Sequence, residues 1–351
     1  MQQVASMKRR PTIRDIAQAV GVHPSTAARV LKGDQRISAE TALKVRAAAE
    51  KIGYKPDPMM SAFAAYRQSI KPAGFHGVLA WITNFPTAAG WHNEAADIYF
   101  IGARERAAEL GYTVEEFWLR DSGMTARQAS QILLARGIRG LLVPPQPKGR
   151  GHLSMDWEQF STVAFGYSMI RPRMHLVSPS QFRNVVTLVR HLRGLGYRRL
   201  GFMSLIHMDE RSDHQWSAGF QSELRALPES REIPILVPPL PSEPEFMTWY
   251  RRWQPQAIVT TETLVPLWLR SAGLRIPEDV AVAFLGCQKP DERAGIDERA
   301  VPIGRAAVDL LVGMIQRGER GIPKDPLRVL VEGTWREGQT VPAQSAPKLK
   351  A

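Results

Sequence analysis

Between positions 23 and 29 the chain carries an imidazole at His23, hydroxyls at Ser25 and Thr26, and a guanidinium at Arg29. Hydroxyls bond phosphates or base edges, and a guanidinium can take both major-groove acceptors of a guanine. That chemistry works only if a helix holds these groups on one face. Pro24, Ser25, Thr26, Ala28 and Arg29 share such a face if Ala27, Val30 and Leu31 turn inward. His23 falls at the N-cap, where it is a weak cap and as able to meet a phosphate as a base. Pro24 falls at the first helical position, where its missing N–H costs nothing.

The stretch TIRDIAQAVGVHPSTAARVL, residues 12–31, supplies the elements that position this face. Thr12 with Asp15 forms a capping pair for a first helix, and Ile13, Ile16, Ala17 and Val20 give it one buried face. Gly21 stops it, because only glycine takes the left-handed conformation cheaply. Val22 plugs the corner and the second helix follows. Two short helices around a tight turn are the arrangement that places the second helix in a DNA major groove. A third helix is expected from the Ser38 cap to Gly53, lined by Leu43, Val45 and Ile52, with Lys44, Arg46 and Lys51 outside. Asp57 and Pro58 then read as the cap and first residue of a short helix through Tyr66.

Charge agrees with an anionic partner for this region. The formal net charge is +12 over 351 residues. Residues 1–71 hold 13 Lys/Arg against 5 Asp/Glu, so two-thirds of the excess lies in one-fifth of the chain. Phosphate contacts and salt-dependent binding follow from that distribution.

These residues resemble the DNA-binding and hinge region of the lac repressor/galactose repressor family of bacterial transcription regulators. The match TIRDIAQAVGVHPSTAARVLKGDQRISAETALKVRAAAEKIGYKPD keeps the family spacing over more than 40 residues. Departures are His23 for Ser, Ala27-Ala28 for Val-Ser, Lys32 for Asn and Asp57 for Asn. Ala28 lacks a hydroxyl that commonly contacts DNA, so the operator sequence does not transfer. The residues and the resemblance together nominate Thr12, His23, Pro24, Ser25, Thr26, Ala28, Arg29, Lys32 and Tyr54 as DNA contacts. The resemblance adds Met59, Ser61, Ala62 and Phe63 of the hinge. It implies that Phe63 wedges into the minor groove where Leu is usual; packing on a dimer mate is the alternative.

From Gly74 apolar runs alternate with helical segments. Strands are expected at 78–82, 114–119, 140–143, 162–165, 199–203, 235–237, 257–260 and 280–285. Helices are expected at 93–110, 125–136, 184–195, 217–227 and from 261 to about 272. The recurring helix–Gly–strand unit (ELGYTVEEF, ARGIRGLLV, GLGYRRLGF) indicates parallel sheets with helices on both faces. So many strands imply two lobes. The expected organisation is a helix-turn-helix domain at 1–56, a hinge at 57–73 and a two-lobed α/β core at 74–340. A disordered tail at 341–351 completes it. The lobes divide near 178–180 and the chain crosses back near 300.

The core resembles the periplasmic sugar-binding proteins, through YRRLGFM, WSAGFQSEL, QAIVTTE, GLRIPEDVAV and RAAVDLLVGMI. That implies a small-molecule effector, of carbohydrate-derived type, in the cleft between lobes. It nominates Asn84, Tyr167, Asp213, Trp216, Glu262 and Gln288. Trp216 replaces a sugar-anchoring Arg, Leu285-Gly286-Cys287-Gln288 replaces Gly-Phe-Asp-Asp, and residues 294–300 depart from a Thr-Thr-Val-x-Gln pattern. Two readings stay open. In one the cleft takes a less polar or cationic ligand, with Trp216 stacking and Glu262 or Asp213 supplying charge. In the other it is degenerate, leaving a constitutive DNA-binding regulator or an activator.

The motifs of the common enzyme classes are missing: no G-x-S-x-G, H-E-x-x-H, phosphate-binding loop or G-x-G-x-x-G. His207 and His214 lack metal-ligand spacing. A non-enzymatic protein without cofactor or metal is expected. One cysteine, Cys287, fits a reducing cytoplasm. No apolar run of membrane-spanning length and no secretory signal are read. The resemblance further implies a homodimer acting as a repressor on a near-palindromic operator.

Overall fold

The computed structural model describes residues 11–31, 37–54, 76–92, 94–147, 151–230, 232–288 and 291–343. Contacts divide the chain into two units, Met1–Phe75 with Gly313–Glu319 and His76–Val312 with Arg320–Ala351.

The first unit is helical: α1 (Ile13–Val20), α2 (Pro24–Leu31) and α3 (Ala39–Lys51). Thr12 and Asp15 form the reciprocal box. The Thr12 hydroxyl oxygen accepts from the Asp15 N–H at 3.4 Å, and the Asp15 carboxylate accepts from the Thr12 N–H at 2.7 Å. Two orphan donors at the head of α1 are thereby satisfied. Gly21 follows at φ +74°, ψ +33°, its N–H bonded to the Ala17 carbonyl. Ser38 caps α3 by accepting from the Thr41 N–H at 3.3 Å. Ile16, Ala17, Ala27, Val30, Val45 and Ala49 form the small core. Leu43 does not line it, contrary to the expectation from its apolar character. It is 70% exposed, because Val45 and Ala49, four apart, set the buried face of α3.

The second unit holds two sheets. Strands β1 (Gly77–Thr83), β2 (Tyr112–Trp118), β3 (Gly140–Val143), β5 (Ser161–Phe165), β7 (His175–Pro179) and β12 (Arg328–Val331) make a six-stranded sheet in the order β12-β7-β5-β3-β1-β2. Every pairing in it is parallel. Strands β8 (Leu200–Met203), β9 (Ala257–Thr260), β10 (Ala281–Leu285), β11 (Ala294–Asp297) and β13 (Thr334–Arg336) make a second sheet in the order β13-β11-β10-β9-β8. Only β13 runs antiparallel there. A two-stranded ribbon pairs β4 (Gly151–His152) with β6 (Met169–Arg171). The chain leaves the first sheet at Pro179 and builds the second as far as Asp297. It then returns to the first at β12 and ends on the second at β13.

Period-two alternation explains why the second sheet is covered on both faces. Phe202, Val259, Ala283 and Leu285 pack on Val185, Leu188, Trp216 and Phe220. Their alternates Ile258, Val282 and Phe284 pack on Phe246, Trp249 and Trp268. Helices α6 (Gln181–Gly194) and α8 (Gln215–Glu223) supply the first group, and α9 (Glu243–Trp253) and α10 (Val265–Ser271) the second.

Two expectations are corrected. Residues 235–237 form no ladder; Leu236 makes one isolated bridge to Met203. The run is bracketed by Pro234 and Pro238, which cannot donate to a ladder. Conversely β4, β6, β7, β11, β12, β13, α7 (Ile206–Arg211), α9 and the helix Ala300–Arg317 fall outside the expected elements. In α9 the pattern is broken by Pro244, which sits in the first turn and is harmless there.

In the first lobe, α4 (Glu94–Glu109) crosses α11 (Ala300–Arg317) at glycines. A Cβ on Gly102 would collide with the Val301 carbonyl, and one on Gly304 with the Tyr99 carbonyl. This contact brings Tyr99 beside the start of α11. Among the described residues, no helix is long and apolar enough to cross a membrane.

Candidate functional site

Two surfaces carry the nominated residues. The first is the outward face of α2. His23, Ser25 and Arg29 are exposed, and Pro24, Thr26 and Ala28 half-buried. His23 caps α2 with its ring: Nδ1 accepts from the Ser25 N–H at 3.3 Å and lies 2.7 Å from the Ser25 hydroxyl. The imidazole is thus tied to the helix start, and the Ser25 hydroxyl is held against it. Thr12 spends its hydroxyl locally, donating to the Asp15 carboxylate at 2.8 Å. Tyr54 packs against the helical core. Lys32, Met59, Ser61, Ala62, Phe63 and the whole hinge at 57–73 lie outside the described residues, as do 344–351 of the expected tail.

The second surface is a cavity of about 490 Å³ between the lobes of the core. Its walls come from the carboxyl ends of parallel strands, where open α/β sheets bind ligands. Ser178 and Pro179 end β7, Thr261 and Thr263 follow β9, Leu285 ends β10 and Gly286 and Gln288 follow it, and Glu298 follows β11. Tyr99 enters from α4 and Trp216 from α8. Arg211 enters from α7 (Ile206–Arg211).

Hydrogen bonds order one wall into a ladder. The Trp216 indole N–H donates to Gln181 Oε1 at 2.6 Å. Gln181 in turn hydrogen-bonds Glu298, and Gln288 Nε2 donates to Glu298 Oε2 at 2.9 Å. Burial pushes the Glu298 carboxyl up to about 7, with the charge of Asp297 adding to it and the two glutamine hydrogen bonds opposing it. Burial likewise raises the Tyr99 phenol well above its ordinary value. Glu298 pushes it in the same direction and Arg211 pulls it back. Tyr99 is held flat against Phe165, ring centroids 5.4 Å apart. Phe165 packs on Trp81, which also meets Trp91 and Phe100.

Arg211 spans the two lobes. Its Nη1 donates to the Gln146 carbonyl at 2.6 Å. Gln146 is buried, its N–H bonded to the Ser168 hydroxyl at 2.7 Å and its Nε2 to the Pro144 carbonyl at 2.8 Å. The arrangement can hold a small ligand by ring contact, by hydrogen bonds and by the Arg211 guanidinium. Among the described residues no group of three His, Cys, Asp or Glu could hold a metal ion.

Residues 12–57 match the family model of bacterial regulatory proteins, lacI family, and residues 189–341 match the periplasmic binding protein-like domain. The HTH-type transcriptional regulator PtxS of Pseudomonas plecoglossicida is 27% identical over 196 residues, 56% of this chain and 54% of that protein. The chain therefore spans about half the length of that curated relative. The HTH-type transcriptional regulator GntR of Pseudomonas aeruginosa is 43% identical over 56 residues, 16% of either protein. The chain thus joins a lacI-family helix-turn-helix segment to a periplasmic binding protein-like domain. Solved structures agree in fold. A CelR–cellobiose complex aligns over 94% of this chain and 100% of its own at TM-score 0.57 and 18% identity. A lac repressor dimer bound to operator and the anti-inducer ONPF aligns over 95% and 100% at TM-score 0.54 and 18% identity.

Against this lacI-type frame, three of the six nominated cleft residues line the cavity: Tyr167, Trp216 and Gln288. Three do not. Asn84 accepts from Arg120 Nε at 3.1 Å. Asp213 sits exposed on a turn at φ +58°. Glu262 turns back on its own loop, accepting from the Thr261 hydroxyl at 2.7 Å. Sequence reasoning missed Tyr99, Gln181, Arg211 and Glu298. The available signal was position: Glu298 comes two residues after the apolar Ala294–Ile296 run, at a strand's carboxyl end.

Proposed function

We propose that this protein is a sequence-specific DNA-binding transcription regulator, a repressor, that acts as a homodimer on a near-palindromic operator in the bacterial cytoplasm. A small molecule in the inter-lobe cleft modulates it. The observation that carries the reading is the capped pair α1–α2. Its Gly21 turn leaves His23, Ser25 and Arg29 exposed on one helix, within the segment that matches the lacI family.

In this reading the start of α2 enters the major groove. Arg29 bonds a guanine, and Ser25, Thr26, His23, Pro24 and Ala28 contact bases or phosphates. Thr12, Lys32 and Tyr54 hold the backbone. Met59, Ser61, Ala62 and Phe63 form a minor-groove hinge in which Phe63 is the wedge. In this reading the protein is a regulator rather than an enzyme, which the curated relatives, themselves transcriptional regulators, support.

The test is selection of binding sites from a random duplex library by the full chain. An enriched motif with two inverted half-sites is expected, and an unenriched pool contradicts the reading. Phe63→Gly should then reduce the bend of the selected site while weak non-specific binding remains; a wild-type bend angle contradicts the wedge.

A further inference from the structure

Several polar groups on the cleft wall have their charge or hydrogen-bonding capacity used within the protein. Gln181 serves Trp216 and Glu298, and Gln288 serves Glu298. Arg293 pairs with Asp291 at 2.6 Å. Ser178 donates to the Pro179 carbonyl at 3.0 Å, and Ser212 to the Asp209 carbonyl at 2.7 Å.

Arg211 differs. Among the described residues its partner is one neutral carbonyl, that of Gln146, and no carboxylate pairs with it. Burial works against its charge, and only the Tyr99 phenol favours it. A guanidinium presents further donors in a planar fork that fits a carboxylate. Desolvating such a group without a counter-charge is costly, and residues kept in that condition at a cleft are commonly there for a ligand. Glu298 does not answer the charge. It is engaged by two glutamines, and Arg211 is not among the groups that shift it. The groups facing Glu298 are Tyr99, Asp297, Gln181 and Gln288.

We propose that the cleft ligand is a small organic carboxylate, its anionic group paired with Arg211 and its body lying between Trp216 and Tyr167. This rests on the ligand-sensing role proposed above and narrows it. A cationic ligand meets the opposite problem: Glu262 and Asp213, the acids expected to receive it, do not line the cavity. A neutral sugar leaves the guanidinium unpaired. Because Arg211 also ties the second lobe to Gln146 of the first, an anion arriving there competes for or reinforces an existing inter-lobe contact.

The experiment is calorimetric titration of the full chain with sugar acids, hydroxybenzoates and aliphatic hydroxy acids. Each is paired with its neutral alcohol, aldehyde or amide counterpart. At least one acid is expected to bind at least about tenfold more tightly than its counterpart. Arg211→Gln should lose that preference, and Arg211→Lys should keep part of it. Both variants should melt as cooperatively as the parent. A neutral member binding as tightly as its acid overturns the carboxylate assignment and leaves the sensing role standing. Acid binding that survives Arg211→Gln overturns the place of Arg211. Silence across the panel with site-specific DNA binding intact overturns the carboxylate assignment and the sensing role together, and leaves the DNA-reading role.

Discussion

Arg211, on the helix that follows β8, donates across the lobes to the backbone carbonyl of Gln146, which follows β3. The acceptor is itself fixed, because the Ser168 hydroxyl accepts from the Gln146 N–H. Ser168→Ala leaves that buried N–H without a partner and should cost about 1–3 kcal/mol of core stability. A urea midpoint equal to wild type would show that the tether carries no weight.

Glu298 gives the core a pH dependence of definite sign. Its folded value of about 7 lies above its ordinary 4.5, mainly because it is buried. The folded state therefore holds a proton that the unfolded chain releases. The contribution is full below pH 4.5 and is lost as pH rises to 7. Stability should fall by about 2–3 kcal/mol over that window. Carboxylates held low by arginines act elsewhere. Glu109, at about 2 because of hydrogen bonds from Arg305 and Arg106, loses its contribution only below pH 4.5. Denaturation of Glu298→Gln should flatten the curve between pH 5 and 7; a slope equal to wild type there contradicts the assignment.

Gly102 and Gly304 set how closely α4 and α11 approach. Their missing Cβ atoms would meet backbone carbonyls rather than flexible side chains. Gly102→Ala should destabilise the core by about 1–3 kcal/mol or more through backbone displacement. It should also disturb Tyr99 at the cleft. Leu43→Ala, at an exposed site of the helical unit, should stay within about 0.5 kcal/mol. Thermal melts of both variants check the pair, and a neutral Gly102→Ala would refute the close crossing.

Arg29→Ala should cost about 1–3 kcal/mol on the selected site and relax one base preference. Binding of a library of single-base variants reads this directly. An unchanged preference profile assigns base reading to another residue.

What could be read from the sequence follows the strength of local signals. Thr12, Asp15, Gly21 and Pro24 each have one conformational use, and together they fix the α1–α2 turn. The central strands carry long apolar runs and stand out for the same reason. Edge strands β12 and β13 are short and partly polar, and β11 is a four-residue run inside its sheet, so tertiary pairing alone defines them. The cleft was harder still. Arg211 is the last residue of the six-residue helix IHMDER, too short for periodicity to orient a side chain. Asp213 and Glu262 are acids at plausible chain positions, yet turns point them elsewhere. Trp216, Tyr167 and Gln288 were reachable because the resemblance to periplasmic sugar-binding proteins marks their positions along the chain.

The most direct test of the whole account is the affinity of the full chain for its selected site, measured with the cleft empty and with it saturated. Coupling between DNA reading and the cleft predicts a change of about tenfold or more. Equal affinities in the two conditions would contradict it.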